Sequence, residues 1–338
     1  MKYILSIIII VLVFSSCTTT ANMLTIDTRQ PAGVSFPAEV VNVVIVDNCP
    51  NTATDTIVAP NEYLMTTDSA KTVLLKSLHQ FMTDENYFGK VDLLPHTVNR
   101  SSEDSVIPLS KKKIQELCSE KEADALISLD FFTISATIEK EKTGYFGQYR
   151  IIGSSIAAIL NVYSKNGENY SKPIILLDSI FKSEDVHWPP TKDYRKVNGL
   201  VRELAVVGAD KLTATLIPSW KEEIRWYYSD NSSEMKEASK YVKEGKWLEA
   251  ADIWGTLYDK AEKPKVKARL ASNIAVANEY LDDVDNAMNW LNIAMELLPE
   301  GKKSDLTTQI TAYYLMLQKR ENLMPRLKRQ LGIEDSIE

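Results

Sequence analysis

The fold of the first half of this chain is set by the stretch Glu39-Val-Val-Asn-Val-Val-Ile-Val-Asp47. This run of β-branched residues is closed by Asn48 and Pro50, which is typical of a strand buried within a sheet. Farther along, Asp68 can cap a helix over residues 69–84, where apolar side chains recur at helical spacing. A buried strand followed by an amphipathic helix predicts a layered domain of helices on a sheet.

The segments that follow complete this domain. They are predicted as a strand over 91–94, a helix capped by Ser110, strands over 125–138, 149–163 and 174–183, and a helix over 194–216. The order of strand, helix, strand, helix, three strands and helix predicts an α+β domain with a mixed sheet and three helices. We assign this domain to residues 35–218.

An internal repeat begins after Trp220, where glycine becomes sparse. Aligning Ala250 with Ala287, 37 positions apart, brings two copies into register. Small residues recur where two helices would cross closely, and large ones where gaps would be filled. These positions are Ala238, Ala250, Ala275, Ala287 and Ala294 for the small residues, and Tyr241, Trp254 and Leu291 for the large ones. The pattern resembles the tetratricopeptide repeat, a helix-turn-helix unit, and an unrelated pair of helical hairpins is the alternative.

Residues 219–338 are therefore predicted as an all-α domain with tetratricopeptide-like repeats. The segment after Trp220 is expected to continue as a helix, against which the repeats pack. Two more helices, over 305–319 and 322–331, are expected to close the stack.

The N-terminus has the pattern of a secreted lipoprotein. Lys2 precedes an apolar run over residues 4–14, too short for a membrane span of about 20 residues but typical of a signal peptide. Ser15-Ser16-Cys17 follows and resembles the bacterial lipobox, which implies a signal peptide over 1–16 and lipid on Cys17. The alternative is a cleaved signal peptide with an incidental cysteine. Residues 17–34 are mostly polar and predict a flexible tether.

Two further resemblances concern larger parts of the chain. Through Glu122-Ala-Asp-Ala-Leu-Ile-Ser128, the α+β domain resembles the N-terminal domain of TolB and the curli-assembly lipoproteins. Through residues 30–39 and 217–220, the chain resembles an uncharacterised Bacteroides-type envelope lipoprotein family, domain of unknown function 6340. This second likeness would cover nearly the whole mature chain, and it implies no activity.

The sequence gives no indication of catalysis. The chain has a net charge of −7 and a pI near 5.3, which argues against nucleic acid as a partner. It contains no Walker loop, no G-x-G-x-x-G and no G-x-S-x-G. His79, His96 and His187 lack neighbours at metal-ligand spacing. We therefore predict a protein without enzymatic activity, cofactor or metal.

Two surfaces are candidates for binding a protein partner. Tyr145, Phe146 and Tyr149 lie at a predicted hairpin tip, where aromatic side chains often anchor partners. The other candidate is the groove of the repeats, lined by Lys240, Lys243, Asn273, Val276 and Asn278. The alternatives are that the aromatic side chains fold over their own sheet and that the C-terminal helices fill the groove.

Together these features predict a non-enzymatic adaptor that binds other envelope proteins. Lipid on Cys17 would hold it in the outer membrane, on the periplasmic face. The alternative is an envelope hydrolase or glycan-binding protein with a site in the cleft between its domains. Cys49 and Cys118 are expected to be free thiols, because the predicted topology sets them farther apart than the roughly 7 Å that a disulfide allows.

Overall fold

The computed structural model describes residues 19–50, 67–98, 106–138, 142–144, 147–185, 194–299 and 304–333. The chain forms two compact units. Of the described residues, the sheet unit comprises those within 30–219 and 326–333, and the helical unit comprises those within 19–29 and 220–325. Cys17, Tyr145 and Phe146 lie outside the described residues.

The described strands are β1 (Thr20–Gln30), β2 (Asn42–Asp47), β3 (Lys90–Leu93), β4 (Ala125–Ile138), β5 (Lys142–Gly144), β6 (Gly147–Ser164), β7 (Ile174–Asp185) and β8 (Ser219–Ser229). The described helices are α1 (Thr67–Asp84), α2 (Lys111–Lys121), α3 (Tyr194–Leu216), α4 (Ser233–Lys243), α5 (Trp247–Lys260), α6 (Pro264–Tyr280), α7 (Val284–Glu296) and α8 (Asp305–Gln330). The predicted strand over 125–138 and helix over 194–216 have the observed bounds.

The sheet unit is built on a mixed sheet. Strand β2 lies between β3 and β4 and is parallel to both. Strand β4 continues the sheet through an antiparallel β6, which also pairs with β7 and the short β5. On one face, the core joins α1 and α3 to the sheet through buried side chains such as Leu74, Leu78 and Leu204. On the other face, a smaller core joins α2 to β2 and β4.

Within the described residues, the helical unit contains two pairs of consecutive helices, α4 with α5 and α6 with α7. Each pair is joined by a short turn that contains a residue with positive φ, Gly245 at 74° and Asp282 at 64°. These residues are 37 positions apart, which is the offset of the repeat. The five alanines predicted to sit at close helix crossings are all fully buried. Burial of all five alanines is what the register inferred from the sequence predicts.

Two predictions about the ends of this unit are wrong. Residues 20–30 form β1, not a flexible tether, and residues 219–229 form β8, not a helix; the two strands pair in a sheet of their own. In β1, Ile26 and Thr28 are buried while Asp27 is exposed, the alternation that a strand with one covered face requires. The scarcity of glycine after Trp220 favours a helix there on sequence grounds alone.

The C-terminal segment also differs from the prediction. Residues 305–330 form the single helix α8, with Pro325 in its interior, where the sequence predicted two helices. An interior proline typically costs about 3 kcal/mol. Leu317 and Leu327 are buried on either side of it, so the helix is packed both before and after the proline. Among the described residues, no helix combines the length and apolar character needed to cross a membrane.

Candidate functional site

The sheet unit has one sheet face on which side chains remain exposed. The strand register shows which residues share this face, because alternate residues of a strand point to the same side. They form four rows that run across β4, β6 and β7. The rows are Phe131–Ile159–Ile175, Thr133–Ala157–Leu177, Ser135–Ser155–Ser179 and Thr137–Gly153–Phe181. We call these twelve residues the open face.

The outermost strand contributes the most exposed apolar side chains. Ile175, Leu177 and Phe181 of β7 are 65%, 74% and 60% exposed, whereas the intervening Leu176 is 7% exposed. These three side chains project from the same face of β7, an outer strand that pairs with β6. Exposed apolar side chains grouped on one face in this way make it a candidate interaction surface.

None of the twelve residues of the open face carries a charge, although a quarter of the chain is charged. Two charged side chains of β7, Asp178 and Lys182, lie on its opposite face. There Asp178 pairs with Lys211 at 2.6 Å and Lys182 pairs with Glu203, which attaches the strand to α3. Depletion of charge is characteristic of the centre of protein interfaces, so the open face has the chemistry of a surface that another protein covers.

Gly153 permits close approach within the open face. A Cβ atom at this position would lie 2.7 Å from the ring of Phe181 and 2.9 Å from the hydroxyl of Thr137. Glycine therefore lets the Phe181 ring lie over β6, where it remains largely exposed to solvent.

A polar cavity of about 530 Å³ lies at the carboxyl ends of β2 and β3. Ligands of open α/β sheets commonly bind at such strand ends. Here the Nζ atom of Lys71 lies 3.0 Å from Oδ2 of Asp47 and 3.1 Å from Oδ1 of Asp68. Burial lowers the pKa of Lys71, but the charge and hydrogen bond of Asp47 outweigh it and hold the pKa above its usual value. Both carboxylates lining the cavity are thus paired with one lysine, which disfavours an acid–base role.

The neighbouring polar groups are also paired. Asp130 is fully buried and accepts hydrogen bonds from Asn48 at 2.7 Å, Ser128 at 2.6 Å and Asn161 at 2.5 Å. It lies at the bulge of β4 between Leu129 and Phe131. Because three donors within the fold satisfy this carboxylate, it gives no indication of a catalytic role.

The two cysteines in the described residues are free, as the sequence predicted, and both are buried. Burial and the negative charge of Asp47 raise the pKa of the Cys49 thiol. Burial raises the pKa of Cys118 to about 11. A thiol that stays protonated is a poor nucleophile, so neither residue is suited to catalysis. Among the described residues, no three His, Cys, Asp or Glu side chains are grouped to hold a metal ion.

The predicted groove residues separate into exposed and buried ones. Lys240 and Lys243 are exposed on α4, and Asn278 is half-buried, with its amide donating to the carbonyl of Ile274 at 2.8 Å. Asn273 and Val276 are fully buried. The prediction that these two residues line an open groove is wrong.

Strand β8 explains the burial of Asn273. The backbone N–H of Tyr228 donates to Oδ1 of Asn273, and Nδ2 of Asn273 donates to the carbonyl of Tyr228, both at 2.7 Å. The side chain thus pairs with the strand as another strand would. Of the predicted hairpin-tip residues, Tyr149 is described and half-buried on β6, while Tyr145 and Phe146 lie outside the described residues.

Sequence reasoning missed the open face. The β7 sequence Ile-Ile-Leu-Leu over residues 174–177 is apolar on both faces, a pattern that indicates a strand buried on both sides. The open face could have been found from the lack of alternation in β7. An outer strand normally alternates apolar and polar residues, so an apolar run on such a strand leaves apolar side chains exposed.

Two family models match the chain. One, described as Domain of unknown function (DUF8603), matches residues 40–228, more than half of the chain. The other, described as Domain of unknown function (DUF6340), matches residues 236–319. The resemblance to the second family therefore holds for the helical part and not for nearly the whole mature chain, and residues 30–39 and 217–220 lie outside its match. No curated protein matches the sequence.

Solved structures with similarity to the chain include a minor lipoprotein from Acinetobacter baumannii. It is 11% identical with a TM-score of 0.29, over 54% of this chain and 98% of that chain. Another is a putative neuraminyllactose-binding hemagglutinin homolog from Helicobacter pylori, 17% identical with a TM-score of 0.29, over 53% of this chain and 87% of that chain. Scores this low support no inference about function.

Proposed function

The chain belongs to the family described as Domain of unknown function (DUF8603), and we propose that it is a lipid-anchored envelope protein that binds another protein through its open face. It acts as a non-enzymatic adaptor. The partner is a different envelope protein that covers the open face with an apolar, uncharged surface.

The open face is the observation that carries this proposal. Its three exposed side chains Ile175, Leu177 and Phe181 are apolar and share one face of one strand. Leaving them in water forgoes roughly 25 cal/mol for each Å² of apolar surface that a partner would cover. The paired charges of the polar cavity beside Asp47 give no comparable support to a hydrolase.

The anchor rests on the N-terminal sequence. Residues 1–16 have the pattern of a signal peptide, and Cys17 follows small residues as in a lipobox. Lipid chains contribute about 0.8 kcal/mol for each buried methylene, and several chains together give stable attachment. We place the protein in the outer membrane, on the periplasmic face, because no acidic cluster follows Cys17 in the sequence.

The helix pairs α4–α5 and α6–α7 are proposed to be two tetratricopeptide-like repeats. The burial of the five alanines and the matching turns at Gly245 and Asp282 support this assignment. Lys240 and Lys243 remain candidates for a second partner contact, since both are exposed.

Site-specific photocrosslinking in cells tests the proposed partner site. A photoreactive amino acid replaces Leu177 on the open face or, as a matched control, Leu248 on α5, which is 64% exposed. We expect one discrete heterologous adduct from position 177, absent from position 248. The substitutions Ile175→Glu and Phe181→Glu should abolish it, whereas Leu248→Glu, at an exposed position on α5, should leave it unchanged.

Two outcomes would overturn the proposal. Equal labelling from positions 177 and 248 would show that the open face has no partner. An adduct with the mass of two copies of this chain would show that the face is covered by self-association and not by another protein. Tryptic mapping of the adduct distinguishes these outcomes.

A further inference from the structure

Two adjoining cavities of about 1070 and 280 Å³ lie in the helical unit, where α5 is followed by α6. They share Thr19, Asp230, Val266 and Arg269 as lining residues. The apolar lining of the larger cavity includes Pro264, Val266, Leu297 and Leu298. Neither cavity contributes to the open face, which belongs to the sheet unit.

The position of Thr19 relates these cavities to the proposed lipid. Nη1 of Arg269 donates a hydrogen bond to Oγ1 of Thr19 at 3.2 Å. Cys17 precedes Thr19 by two residues, and two residues of extended chain span at most about 7 Å. A lipid on Cys17 would therefore begin within that distance of the Thr19 backbone, and Thr19 lines both cavities.

The residues that line the cavities carry a net positive charge, whereas the whole chain is negative. Four basic residues line them: Lys260, Lys263, Lys265 and Arg269. The acidic lining residue is Asp230, whose Oδ1 accepts hydrogen bonds from the backbone N–H and the hydroxyl of Ser232. Glu262 lies near in sequence but does not line either cavity. After removal of residues 1–16, which include Lys2, the chain has 38 basic and 46 acidic residues, a net charge of −8.

We propose that this basic face lies against the membrane that carries the lipid on Cys17 and binds anionic phospholipid headgroups. Clusters of Lys and Arg next to a membrane attachment point are attracted to anionic lipids, and a basic patch strengthens attachment by a lipid chain. The attraction acts within a Debye length, about 8 Å at physiological ionic strength. The face thus orients the protein on the membrane. This inference rests on the lipid anchor of the proposed function.

Depth-dependent fluorescence quenching tests this orientation on the full, lipidated chain. Cys49 and Cys118 are buried, so an introduced surface cysteine can be labelled selectively. One variant carries the fluorophore at Lys265→Cys on the basic face. The control carries the fluorophore at Lys243→Cys. Lys243 lines a different cavity together with Tyr280, which ends α6. The two ends of this 17-residue helix are about 24 Å apart.

Both variants are reconstituted into vesicles of phosphatidylcholine, with or without an equal amount of phosphatidylglycerol, that contain headgroup-labelled nitroxide lipid. We expect several-fold stronger quenching at position 265 than at 243, increased by phosphatidylglycerol. High salt, or Lys260→Glu with Lys263→Glu, should remove that increase.

The outcomes separate this inference from the anchor itself. Equal quenching of the two positions, or quenching that does not respond to phosphatidylglycerol, on a chain whose mass shows lipid at Cys17 would overturn the orientation alone. An intact mass without lipid at Cys17 would overturn the anchor and the orientation with it. The partner site on the open face is tested separately by crosslinking at position 177.

Discussion

The guanidinium of Arg225, on β8, forms two parallel hydrogen bonds with the carboxylate of Glu279, on α6. Nε lies 2.8 Å from Oε2 and Nη2 lies 2.7 Å from Oε1. The hydroxyl of Tyr313 donates to the same carboxylate at 2.9 Å, and Nη1 of Arg320 does so at 3.2 Å. Because Glu279 is almost fully buried, this network ties β8 and α8 to the second helix pair.

Replacing Glu279 with Gln is expected to destabilise the helical unit. The substitution removes the negative charge while Arg225 remains buried, and breaking a buried ion pair by removing one partner typically costs about 3–5 kcal/mol. Denaturant unfolding followed by circular dichroism measures the loss. Glu296→Gln is the control, since Glu296 is exposed on α7 and should change the free energy of unfolding by less than about 0.5 kcal/mol. Equal stability of the two variants would contradict the importance of the network.

Truncation of Leu176 should destabilise the protein much more than truncation of Leu177, although the two residues are adjacent. Leu176 packs in the core between the sheet and its helices, so Leu176→Ala should cost about 2–5 kcal/mol. Leu177 projects from the open face, and Leu177→Ala should stay within about 0.5 kcal/mol of the wild type. Thermal unfolding of the two variants checks this. A large loss for Leu177→Ala alone would mean that the strand faces are assigned the wrong way round.

Ala287→Trp tests the register of the repeats. Ala287 is fully buried on α7, at a position where the sequence predicts a close helix crossing. Overpacking typically costs 1–3 kcal/mol, and a side chain as large as Trp is expected to reach or exceed about 3 kcal/mol. Asn286→Trp, one position earlier on the exposed side of α7, is the control for helix propensity. Near-wild-type unfolding of Ala287→Trp would show that the register is wrong.

The buried thiols predict a loss of stability at alkaline pH. The pKa of Cys118 rises from 9.0 to about 11 on folding because of burial. Above pH 9 the unfolded thiol loses its proton while the folded one keeps it, so the unfolded state binds fewer protons. Stability should therefore be intact below pH 9 and fall as pH rises toward 11, by at most about 1.4 kcal/mol per pH unit for each such thiol.

Unfolding measured between pH 8 and about 11 checks this slope, and Cys118→Ala should make it shallower. The mature chain should also contain two thiols that titrate after denaturation and react slowly in the folded state, because Cys49 and Cys118 are both free. A slope unchanged in Cys118→Ala would show that this thiol does not titrate differently in the two states.

Cys17→Ala should block acylation and leave the protein either unprocessed or released from membranes. The lipobox-like sequence around Cys17 motivates this prediction. Membrane fractionation and intact mass measure the result. Ser16→Ala, which keeps a small residue before the cysteine, should be processed normally. A correctly processed Cys17→Ala protein that still fractionates with membranes would contradict the lipid anchor.

Features with a local physical cause could be predicted from the sequence alone. The side chain of Ser110 caps α2 by accepting from the N–H of Lys113, as predicted, because capping involves residues only three positions apart. The bounds of β4 and α3 agree with their sequence patterns. The close-packed alanines of the helix pairs were predicted by their spacing, since helical periodicity places such residues on one face.

The surfaces were decided by tertiary structure. Asn273 and Lys240 occupy first helices of the two pairs, yet β8 covers Asn273 and leaves Lys240 exposed. The hydroxyl of Thr28 donates a hydrogen bond to the carbonyl of Lys221, 193 residues away in sequence. Sequence periodicity carries no information about contacts between residues so far apart in the chain. Ile175 and Leu176 are equally apolar, and the helices that cover one sheet face bury only Leu176. Sequence periodicity determines which residues share a face, but whether that face is buried depends on which distant element packs against it.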